Sequence, residues 1–355
     1  MPRKPAGPRE GSEFGYDPAD EMRAMVKRLV NAPERDGELT QIGKAAAVPS
    51  ITRVKKRLID AHVAIKQDAP EELTFYHSVA CQCAMPVKRP PDDLLSWKQV
   101  QGRAVLMLEA GKAWQPETRN FVQLGLPFGP KSRLILMHLN SEAIRNQSPV
   151  IDAGSSLTNF IRRIQDHHPT GPEVKAFKEQ LSRLSAATIR LAITEGERAM
   201  QVNTQIVGAF DLWFSRDENQ RVLWPSTVQL STDYFNSLAK YAVPLDDRAI
   251  APLSHSALAL DAYCWLAQRL HRIPQGKPQL VPWVNLHGQF GQGYSEIRNF
   301  RRDMLKMLKL VRTVYQDARF ENDKKGLWLW TSPPPVTKRL VALPSLKTIE
   351  HDDGK

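Results

Sequence analysis

The hydrophobic and polar positions along the chain change their period several times, and each change predicts a different element. In residues 37–65, GELTQIGKAAAVPSITRVKKRLIDAHVAI, apolar residues recur at helical spacing. They predict a short helix around Gln41–Ala46 and a second helix from Ile51 to Ile65, with the outline of a small helix-turn-helix. In residues 73–128 the apolar runs are short or alternating and are divided by Pro, Gly and Asp, which favours strands.

The pattern from residue 129 to 230 predicts a helix, a strand, two further helices and a hairpin. The first helix is GPKSRLILMHLNSEAIRNQ, with Pro130 in its first turn, and SPVIDAG is the strand. SSLTNFIRRIQ follows as a helix with Ser155 or Ser156 at its N-cap. PEVKAFKEQLSRLSAATIRLAI predicts a longer helix whose apolar stripe runs to Leu191. The alternating residues that follow predict a long hairpin about a polar RDENQ turn.

The pattern from residue 254 to 332 repeats that order without the early strand. SHSALALDAYCWLAQRLHRI, VPWVNLHGQFG and SEIRNFRRDMLKMLKLVRTVY predict three helices, and QDARFENDKKGLWLW predicts a hairpin. Three helices and a hairpin, twice over, are the outline of two winged-helix domains, although the repeat lies in element order and not in sequence identity. The predicted fold class is therefore α+β and helix-rich, with two tandem winged-helix domains and an N-terminal helical extension.

Predicted domain boundaries follow from the same patterns. Residues 1–70 hold a tail rich in Pro, Gly and charge, followed by the helical extension, whose helix pair is a candidate third DNA-reading element. The first winged-helix domain, with its preceding strands and long hairpin, is predicted for 71–245 and the second for 246–336. Residues 337–355 are predicted to be a C-terminal tail.

The predicted helix at residues 295–315 separates its apolar residues from its charges. At 100° per residue, one arc of roughly 120° holds the apolar positions Ile297, Phe300, Met304, Met307, Leu308, Val311, Val314 and Tyr315. An arc of roughly 140° on the opposite side holds the basic positions Arg298, Arg301, Arg302, Lys306, Lys309 and Arg312. A solvated helix surface usually mixes both signs of charge, whereas Glu296 and Asp303 lie at the edge of this face or off it.

A glycine-rich corner, GQGY, precedes this helix, and a hairpin with Lys324 and Lys325 at its tip follows it, as in a winged helix. Such a helix enters the major groove by its N-terminal end. The residues predicted to reach base edges or flanking phosphates are Ser295, Arg298, Asn299 and Arg302. The other predicted DNA-binding residues, mainly for the DNA backbone, are Arg301, Lys306, Lys309, Arg312, Lys324 and Lys325.

The long helix of the first block carries a weaker set of DNA-binding candidates. Lys175, Lys178, Arg183 and Arg190 are predicted to share one helical face with Ser182. A solvated surface and a set of phosphate contacts explain this face equally well.

Composition and charge indicate a polyanionic partner. The 355 residues are 42% hydrophobic and 25% charged, as in a globular protein, and their net charge is +11. Three cysteines are too few for a disulfide framework and favour a reducing cytoplasm. The N-terminus lacks a secretory signal, and no apolar run approaches the roughly 20 residues that span a bilayer. We therefore expect a soluble protein without a membrane partner.

The sequence patterns of DNA-processing enzymes are missing. His167 and His168 are adjacent, so on a strand they would point to opposite faces and could not share a metal as in rolling-circle initiators. No His is followed by Arg three residues later, as in tyrosine recombinases, and there is no GxxxxGK[ST] phosphate loop. His77, Cys81 and Cys83 are too few ligands for zinc. We expect no catalytic residue, no metal and no cofactor.

Several segments between about residues 73 and 336 together resemble RepA-type plasmid replication initiators. They are GLPFGPKSRLILMHLN, SSLTNFIRRI, EQLSRLSAATIRLA, ALDAYCWLAQRLHRIP, VPWVNLHGQFGQGY and GLWLWTSPPPV. The resemblance implies a bacterial, plasmid-encoded, tandem winged-helix protein that binds repeated sequences (iterons) at its origin. It also implies opening of an AT-rich segment and recruitment of host replication proteins such as the replicative helicase and initiator.

The same resemblance implies a monomer–homodimer equilibrium. Major-groove readout then falls on residues 295–316, and dimerisation falls on the hairpin arms around Val202–Phe214 and Val222–Leu230. A stand-alone winged-helix transcriptional repressor is the alternative function, and a DNA nicking or recombining enzyme is the third.

Overall fold

Among the residues that the structure describes, two helices and five strands precede the two repeated blocks. The computed structural model describes residues 48–336, apart from 116–117, 166, 196–197, 206 and 210–226. In chain order the first elements are α1 (Val48–Gln67), β1 (Leu73–His77), α2 (Ser78–Gln82), β2 (Ser96–Gln101), β3 (Ala104–Glu109), β4 (Lys112–Gln115) and β5 (Asn120–Gln123). Helix α1 confirms the second helix of the predicted pair, whereas Gln41–Ala46 lies outside the described residues.

The strands predicted for residues 73–128 are confirmed in β1, β3 and β5, but one stretch is helical. Residues 78–82 form α2 because the His77 side chain caps them, with Val79 N donating to Nδ1 at 3.2 Å. The assignment of Cys81 to a strand is therefore wrong. Strands β2 and β4, which the pattern did not predict, pair with β3 and β5 respectively.

The first block has the predicted order of a helix, a strand and two helices, but the predicted hairpin is only partly confirmed, because residues 200–205 of its first arm pair with residues 188–193 instead. It consists of α3 (Gly129–Asn146), β6 (Val150–Asp152), α4 (Leu157–Gln165), α5 (Gly171–Ala186), β7 (Thr188–Glu195), β8 (Arg198–Gln205), β9 (Val207–Ala209) and β10 (Thr227–Leu230). Pro130 lies in the first turn of α3, as predicted. Ser156 is the N-cap of α4, because its Oγ accepts a hydrogen bond from Asn159 N at 3.1 Å.

The prediction that the third helix continues to Leu191 is wrong. Helix α5 ends at Ala186, and the following residues form β7 in a four-stranded sheet of order β2-β3-β7-β8. Ile189 and Leu191 point into the core and Arg190 points outward, which is the alternation of a strand. The apolar residues at the end of this segment are too few to distinguish helical spacing from strand spacing. The segment is a strand because it pairs with β3 and β8.

Between the blocks lie three elements that the sequence pattern did not predict, namely α6 (Thr232–Tyr241), β11 (Ala242–Asp246) and α7 (Asp247–Leu253). The second block consists of α8 (Ala257–Arg269), a 3-10 turn (Leu270–Arg272), β12 (Gln279–Pro282), α9 (Trp283–Phe290), α10 (Ile297–Val314), β13 (Phe320–Asn322) and β14 (Gly326–Leu329). Its three predicted helices and its hairpin are confirmed. The expectation that it lacks the early strand is wrong, because β12 pairs with β14.

The two blocks build the same small sheet. The strand orders are β6-β10-β9 and β12-β14-β13, and all neighbours are antiparallel, so in each block the last strand lies at the centre. A helix, a strand, two helices and two strands with this pairing form a winged helix. The predicted fold class, α+β with two tandem winged-helix units, is confirmed. The described elements from Pro49 onward form one compact unit, and the domain boundaries within it stay predictions.

The first helices of the two blocks, α3 and α8, pack against each other at the centre of the core. Every residue of α8 from Ala257 to Gln268 is buried, which is typical of a helix that is surrounded by protein on all sides. Asp261 is a polar residue of this helix, and it faces Arg133 of α3, which is also buried.

Arg133 and Asp261 join the blocks through a bidentate ion pair. Arg133 Nε and Nη2 donate to Asp261 Oδ1 and Oδ2 at 2.6 Å each. The remaining guanidinium protons are donated to the carbonyl oxygens of Met85 at 2.7 Å, Gly129 at 2.7 Å and Pro86 at 3.2 Å. All five donors of the guanidinium therefore have acceptors. Burial opposes the charge of Arg133, but the attraction and hydrogen bonds of Asp261, together with smaller contributions from neighbouring groups, raise the pKa of the guanidinium; burial also raises the pKa of Asp261, against the effect of Arg133.

Replacing Arg133 with Met is expected to lower the free energy of unfolding by about 3–5 kcal/mol, because it leaves the buried Asp261 carboxylate without a partner. Urea unfolding followed by circular dichroism measures this change. The double variant Arg133→Met/Asp261→Leu removes both charges and is expected to recover most of the loss. Arg145→Met, which breaks an exposed pair with Glu142, is the control and is expected to cost at most about 1 kcal/mol. An Arg133→Met variant as stable as the wild type would contradict the coupling.

Candidate nucleic-acid interface

Helix α10 buries its apolar face and exposes most of its basic residues, as predicted. The buried residues are Phe300, Met304, Leu308, Val311 and Val314. The exposed basic residues are Arg298, Arg302, Lys306, Lys309 and Arg312. Ile297 was placed in the buried stripe, but it is 41% exposed because it is the first residue of the helix and the buried residues begin at Phe300. The face opposite the core is therefore cationic along the whole helix.

The GQGY corner fixes the direction in which α10 leaves α9. Gly291 ends α9, and a Cβ at this position would lie 2.5 Å from Cδ2 of His287. Gly293 has a φ of +98°, which favours glycine. His287 Nε2 donates to Tyr294 O at 3.1 Å, and the rings of both residues pack edge to face on Phe300. These contacts hold the N-terminal end of α10 in place.

Asp323 orders the turn between β13 and β14, where the wing tip lies. Its Oδ1 accepts hydrogen bonds from Lys325 N at 2.7 Å and Gly326 N at 2.9 Å, and its Oδ2 accepts one from Trp328 Nε1 at 3.0 Å. These bonds, with that from Gly326 foremost, lower the pKa of the carboxyl. Lys324 and Lys325 are exposed on a turn whose backbone is fixed.

Arg301 points toward the wing and not toward solvent. Its Nη2 donates to Asp323 O at 3.0 Å, and its guanidinium lies 5.1 Å from the centre of the Trp283 ring. Trp283 Nε1 donates to the same carbonyl oxygen at 3.1 Å. Arg301 therefore links α9, α10 and the wing, which differs from the direct DNA contact that the helical wheel predicted for it.

Two neighbouring cations of α10 are partly neutralised by Asp303. Arg302 Nε and Lys306 Nζ lie 3.0 Å and 3.8 Å from Asp303 Oδ1. The bond from Arg302 is the main reason why the pKa of Asp303 is lowered. The helical wheel places Asp303 at the edge of the basic face or off it, but its carboxylate reaches two cations of that face. Both cations nevertheless remain exposed.

Arg312 is exposed but also holds the helix to the sheet. Its Nη2 donates to Phe320 O, and its guanidinium lies 4.5 Å from the centre of the Phe320 ring. Four other predicted cations make no ion pair within 4 Å with any residue that the structure describes: Arg298, Lys309, Lys324 and Lys325. Ser295 and Asn299 are exposed as well, Ser295 lying just before the N-cap residue of α10.

Helix α1 supports the C-terminal end of α10, a contact that the sequence pattern did not indicate. His62 Nδ1 donates to Thr313 O at 2.9 Å, and Gln316 Nε2 donates to His62 O at 3.1 Å. Arg248 Nη1 donates to the carbonyl oxygens of Ala64 at 2.8 Å and Asp68 at 3.0 Å. The helical extension is thus part of the scaffold that presents the basic face.

Helix α5 occupies the place in the first block that α10 has in the second, but much of its polar face is covered. Ser182 and Arg183 are buried. Arg183 Nη1 donates to Leu126 O at 3.0 Å, and its Nη2 lies 2.9 Å from Glu179 Oε1. The segment 124–128 therefore lies over the C-terminal half of α5, and Ser182 and Arg183 are not presented to a duplex.

The remaining candidates of the first block do not share one helical face. Arg190 lies on β7 and forms an ion pair with Glu109 at 2.6 Å, so its placement on the helix is wrong. Lys175 is exposed and Lys178 is half-buried, and neither makes an ion pair with a described residue. Their phosphate contacts stay a prediction.

The two cysteines and the histidine considered as zinc ligands are part of the core. Burial lowers the pKa of His77 to about 3 and raises that of Cys83 to about 12. His77 Nε2 lies 2.9 Å from Ser237 Oγ, and Cys83 Sγ lies 3.5 Å from Ala104 O. Among the residues that the structure describes, no group of His, Cys, Asp and Glu could hold a metal ion. In the same residues, no helix combines the length and apolar character needed to cross a membrane.

Sequence reasoning missed Asp323, Trp283 and Arg301 as the residues that organise the wing. The NDKKG sequence at 322–326 was a usable signal for Asp323, since Asp favours turns by accepting hydrogen bonds from backbone amides two or three residues ahead. The contacts of Trp283 and Arg301 reach across the fold, so no local pattern indicates them.

Replacing Asp323 with Ala removes the acceptor for the amides of Lys325 and Gly326. We expect these amides to exchange hydrogen at least about tenfold faster, with the fold retained, which hydrogen exchange read by mass spectrometry measures. Glu321→Ala, at an exposed position on β13, is the matched control and should leave the exchange unchanged. Equal exchange in wild type and Asp323→Ala would show that the wing is held by other contacts.

The hydrogen bonds of Asp323 also predict how the stability of the protein depends on pH. The pKa of Asp323 is lowered in the folded protein, so its charge adds stability above the ordinary Asp pKa, and this stability is lost as the pH falls through the lowered value. The difference in thermal stability between wild type and Asp323→Asn should therefore be present at neutral pH and shrink in acid below about pH 4. A difference that persists unchanged in acid would contradict the assignment.

A comparison with protein families finds a match over part of this chain. Residues 126–284 match the family RepA_C, described as "Plasmid encoded RepA protein". This segment contains the first block and ends within α9, before α10 begins. A comparison with curated proteins finds no match.

Two solved structures of RctB are similar at low identity. One, of domains 2 and 3 of RctB, has a TM-score of 0.43 and 12% sequence identity, covering 71% of this chain and 96% of that chain. The other, of RctB residues 155–483, has a TM-score of 0.40 and 10% identity, covering 71% of this chain and 94% of that chain. The RepA_C match covers several of the segments whose sequence resembles plasmid replication initiators. The resemblance of this chain to the plasmid-encoded RepA proteins is therefore confirmed for residues 126–284.

Proposed function

We propose that this chain is a plasmid replication initiator that binds repeated sequences at an origin in the bacterial cytoplasm. The RepA family match supports the initiator role. The observation that carries the DNA-binding part is the exposed basic face of α10, which lies between an ordered corner and an ordered wing. The whole chain has a net charge of +11, and this positive charge attracts a DNA duplex.

The geometry of α10 suits entry into the major groove by its N-terminal end. A helix with its side chains is about 10–12 Å wide, close to the roughly 12 Å width of the groove. Arg298 and Asn299 are exposed in the first turn, where Arg pairs with guanine and Asn with adenine through two hydrogen bonds. Lys309, Lys324 and Lys325 are free to meet phosphates, which adds affinity without sequence information.

In this proposal the chain acts through binding energy alone and has no catalytic step. Binding to several bent repeats strains the duplex, and an AT-rich segment beside them is where opening costs least. Host replication proteins, such as the replicative helicase and initiator, then join the opened DNA. Directly repeated sites beside an AT-rich segment distinguish an initiator from a stand-alone repressor, which needs only an operator at a promoter.

A monomer–homodimer equilibrium is part of the proposal. The arms assigned to dimerisation pair with each other at Gln229 with Ala209 and at Leu230 with Val207, whereas residues 202–205 of the first arm pair with β7. Strand β8, which contains the start of the first arm, is the last strand of the four-stranded sheet among the described residues, so it is the edge that we propose for pairing with a second chain. Residues 210–226 of the predicted hairpin lie outside the described residues.

Reversing Arg298 and Arg302 to Glu is expected to abolish binding to the origin repeat, weakening it about a hundredfold or more, because two base-edge contacts are replaced by repulsion. Electrophoretic mobility shift with the repeat measures this loss, and circular dichroism checks the fold. Lys98→Glu/Arg103→Glu changes the net charge equally at exposed positions of the β2–β3 hairpin and should retain most of the specific binding. If Arg298→Glu/Arg302→Glu bound the repeat normally, α10 would be the wrong helix.

Changing Lys309 to Ala is expected to weaken repeat and scrambled duplexes about equally, because a phosphate contact carries no sequence information. The slope of log affinity against log salt concentration should fall by about 0.9. Fluorescence anisotropy across a salt series measures both quantities. A loss confined to the repeat would place Lys309 on a base edge and contradict the assignment.

A further inference from the structure

The hairpin of β4 and β5 exposes a pair of aromatic side chains that lies outside the hydrophobic core formed by the described residues. Its strands pair only with each other among the described residues, from Lys112↔Gln123 to Gln115↔Asn120. Trp114 and Phe121 lie opposite each other and contact edge to face, with ring centres 5.2 Å apart. They are 48% and 59% exposed. Because the two exposed rings are in contact, they form a continuous apolar patch, which is the kind of surface that binds a partner.

The aromatic pair shares one face of the hairpin with polar residues at its base. Side chains two residues apart on a strand point to the same face, and so do directly paired residues. Lys112, Trp114, Phe121 and Gln123 therefore line a single face. Gln123 anchors this hairpin, since its Nε2 donates to the carbonyl oxygens of Gly111 and Leu124 at 2.9 Å each and that of Ala110 at 3.1 Å.

The base of the hairpin opens into a cationic cleft of about 590 Å³. Gln123 lines this cleft together with four basic and two acidic side chains, Arg89, Lys175, Lys178, Arg183, Asp92 and Glu179. Arg89 pairs with both acids and Arg183 pairs with Glu179, so the acids are already neutralised. Lys175 and Lys178 make no ion pair with a described residue, and they give the cleft an unbalanced positive charge.

We infer that this hairpin face and the adjoining cleft form a binding site for single-stranded nucleic acid, separate from the basic face of α10. The cleft lysines meet backbone phosphates, and Trp114 and Phe121 stack on unpaired bases. Gln123 in the cleft and Phe121 are two residues apart on β5, which corresponds to about 7 Å. A nucleic-acid strand that leaves the cleft therefore reaches the rings within a few bases.

Other occupants fit this surface less well. A duplex offers phosphates to the lysines, but its bases are stacked inside and leave the two rings without partners. An acidic peptide explains the lysines and not the rings, and an apolar protein surface explains the rings and not the lysines. Only a chain that carries both phosphates and exposed planar bases satisfies both halves of the surface. This site goes beyond duplex reading by α10, and it would hold a strand that origin opening releases.

The test measures binding of the full chain to a labelled twenty-residue oligothymidylate by fluorescence anisotropy. Trp114→Leu/Phe121→Leu keeps an apolar surface and removes the rings, so the affinity should fall at least about tenfold. Trp114→Phe/Phe121→Trp exchanges the two rings and should keep the wild-type affinity. Val100→Ala, at a 53% exposed position on β2, is the matched truncation and should change nothing.

The contributions of bases and phosphates are separated by a second pair of measurements. An oligomer of equal length with abasic sites keeps the phosphates, and wild type should bind it about as weakly as Trp114→Leu/Phe121→Leu binds oligothymidylate. Lys175→Ala/Lys178→Ala should lower the salt slope for oligothymidylate by about 1.4, which is about 0.7 for each phosphate contact on a single strand.

Three outcomes would overturn the inference. Wild type that does not bind oligothymidylate excludes the site, and equal binding by Trp114→Leu/Phe121→Leu shows that the rings do not stack on bases. If that variant lost binding to the repeat duplex as well as to oligothymidylate, the hairpin would belong to the duplex-binding site. Failure of the proposed function looks different, because wild type would then bind repeat and scrambled duplexes alike whatever the hairpin carries.

Discussion

A guanidinium and a carboxylate that are both almost fully buried are stable only if nearly every polar atom has a partner. Arg133 and Asp261 meet this condition, since Arg133 uses all five donors on Asp261 and on carbonyl oxygens before and at the start of α3. The pair joins α3 of the first winged helix to α8 of the second, and α10 packs on α8. The position of the basic face therefore depends on a contact between the two repeats, as well as on the helices of its own repeat.

The cations of the second winged helix divide into two groups with different tasks. Arg301 directs its guanidinium group to a carbonyl oxygen of the wing and to the Trp283 ring of α9, and Arg312 directs its own to Phe320 of the sheet, so both hold α10 in place. Arg298, Lys309, Lys324 and Lys325 remain exposed without an ion pair among the described residues. A cation that supports the scaffold and one that meets a phosphate look identical on a helical wheel. Fewer residues are therefore available to contact DNA than the number of basic residues on this face suggests.

Local periodicity was sufficient to predict α10, because a helix with one buried face leaves a regular stripe from Phe300 to Val314. The order of helices and hairpins also predicted the repeated fold. Errors arose where distant pairing decides the local structure: β7 follows α5 because β3 and β8 accept it as a neighbour, and β12 has only four residues and ends in a proline. The covering of α5 by residues 124–128 and the wing contact of Arg301 are likewise long-range contacts that leave no periodic signal.

The most direct test of duplex reading by α10 is binding of the chain to the DNA that flanks its gene, compared with a scrambled duplex across a salt series. An initiator that reads repeated sites should shift the flanking DNA in successive steps, one for each direct repeat. It should also retain this preference at salt concentrations that abolish binding to the scrambled duplex. Equal binding to both duplexes at every salt concentration would contradict sequence-specific reading and leave only a basic surface with a general affinity for nucleic acid.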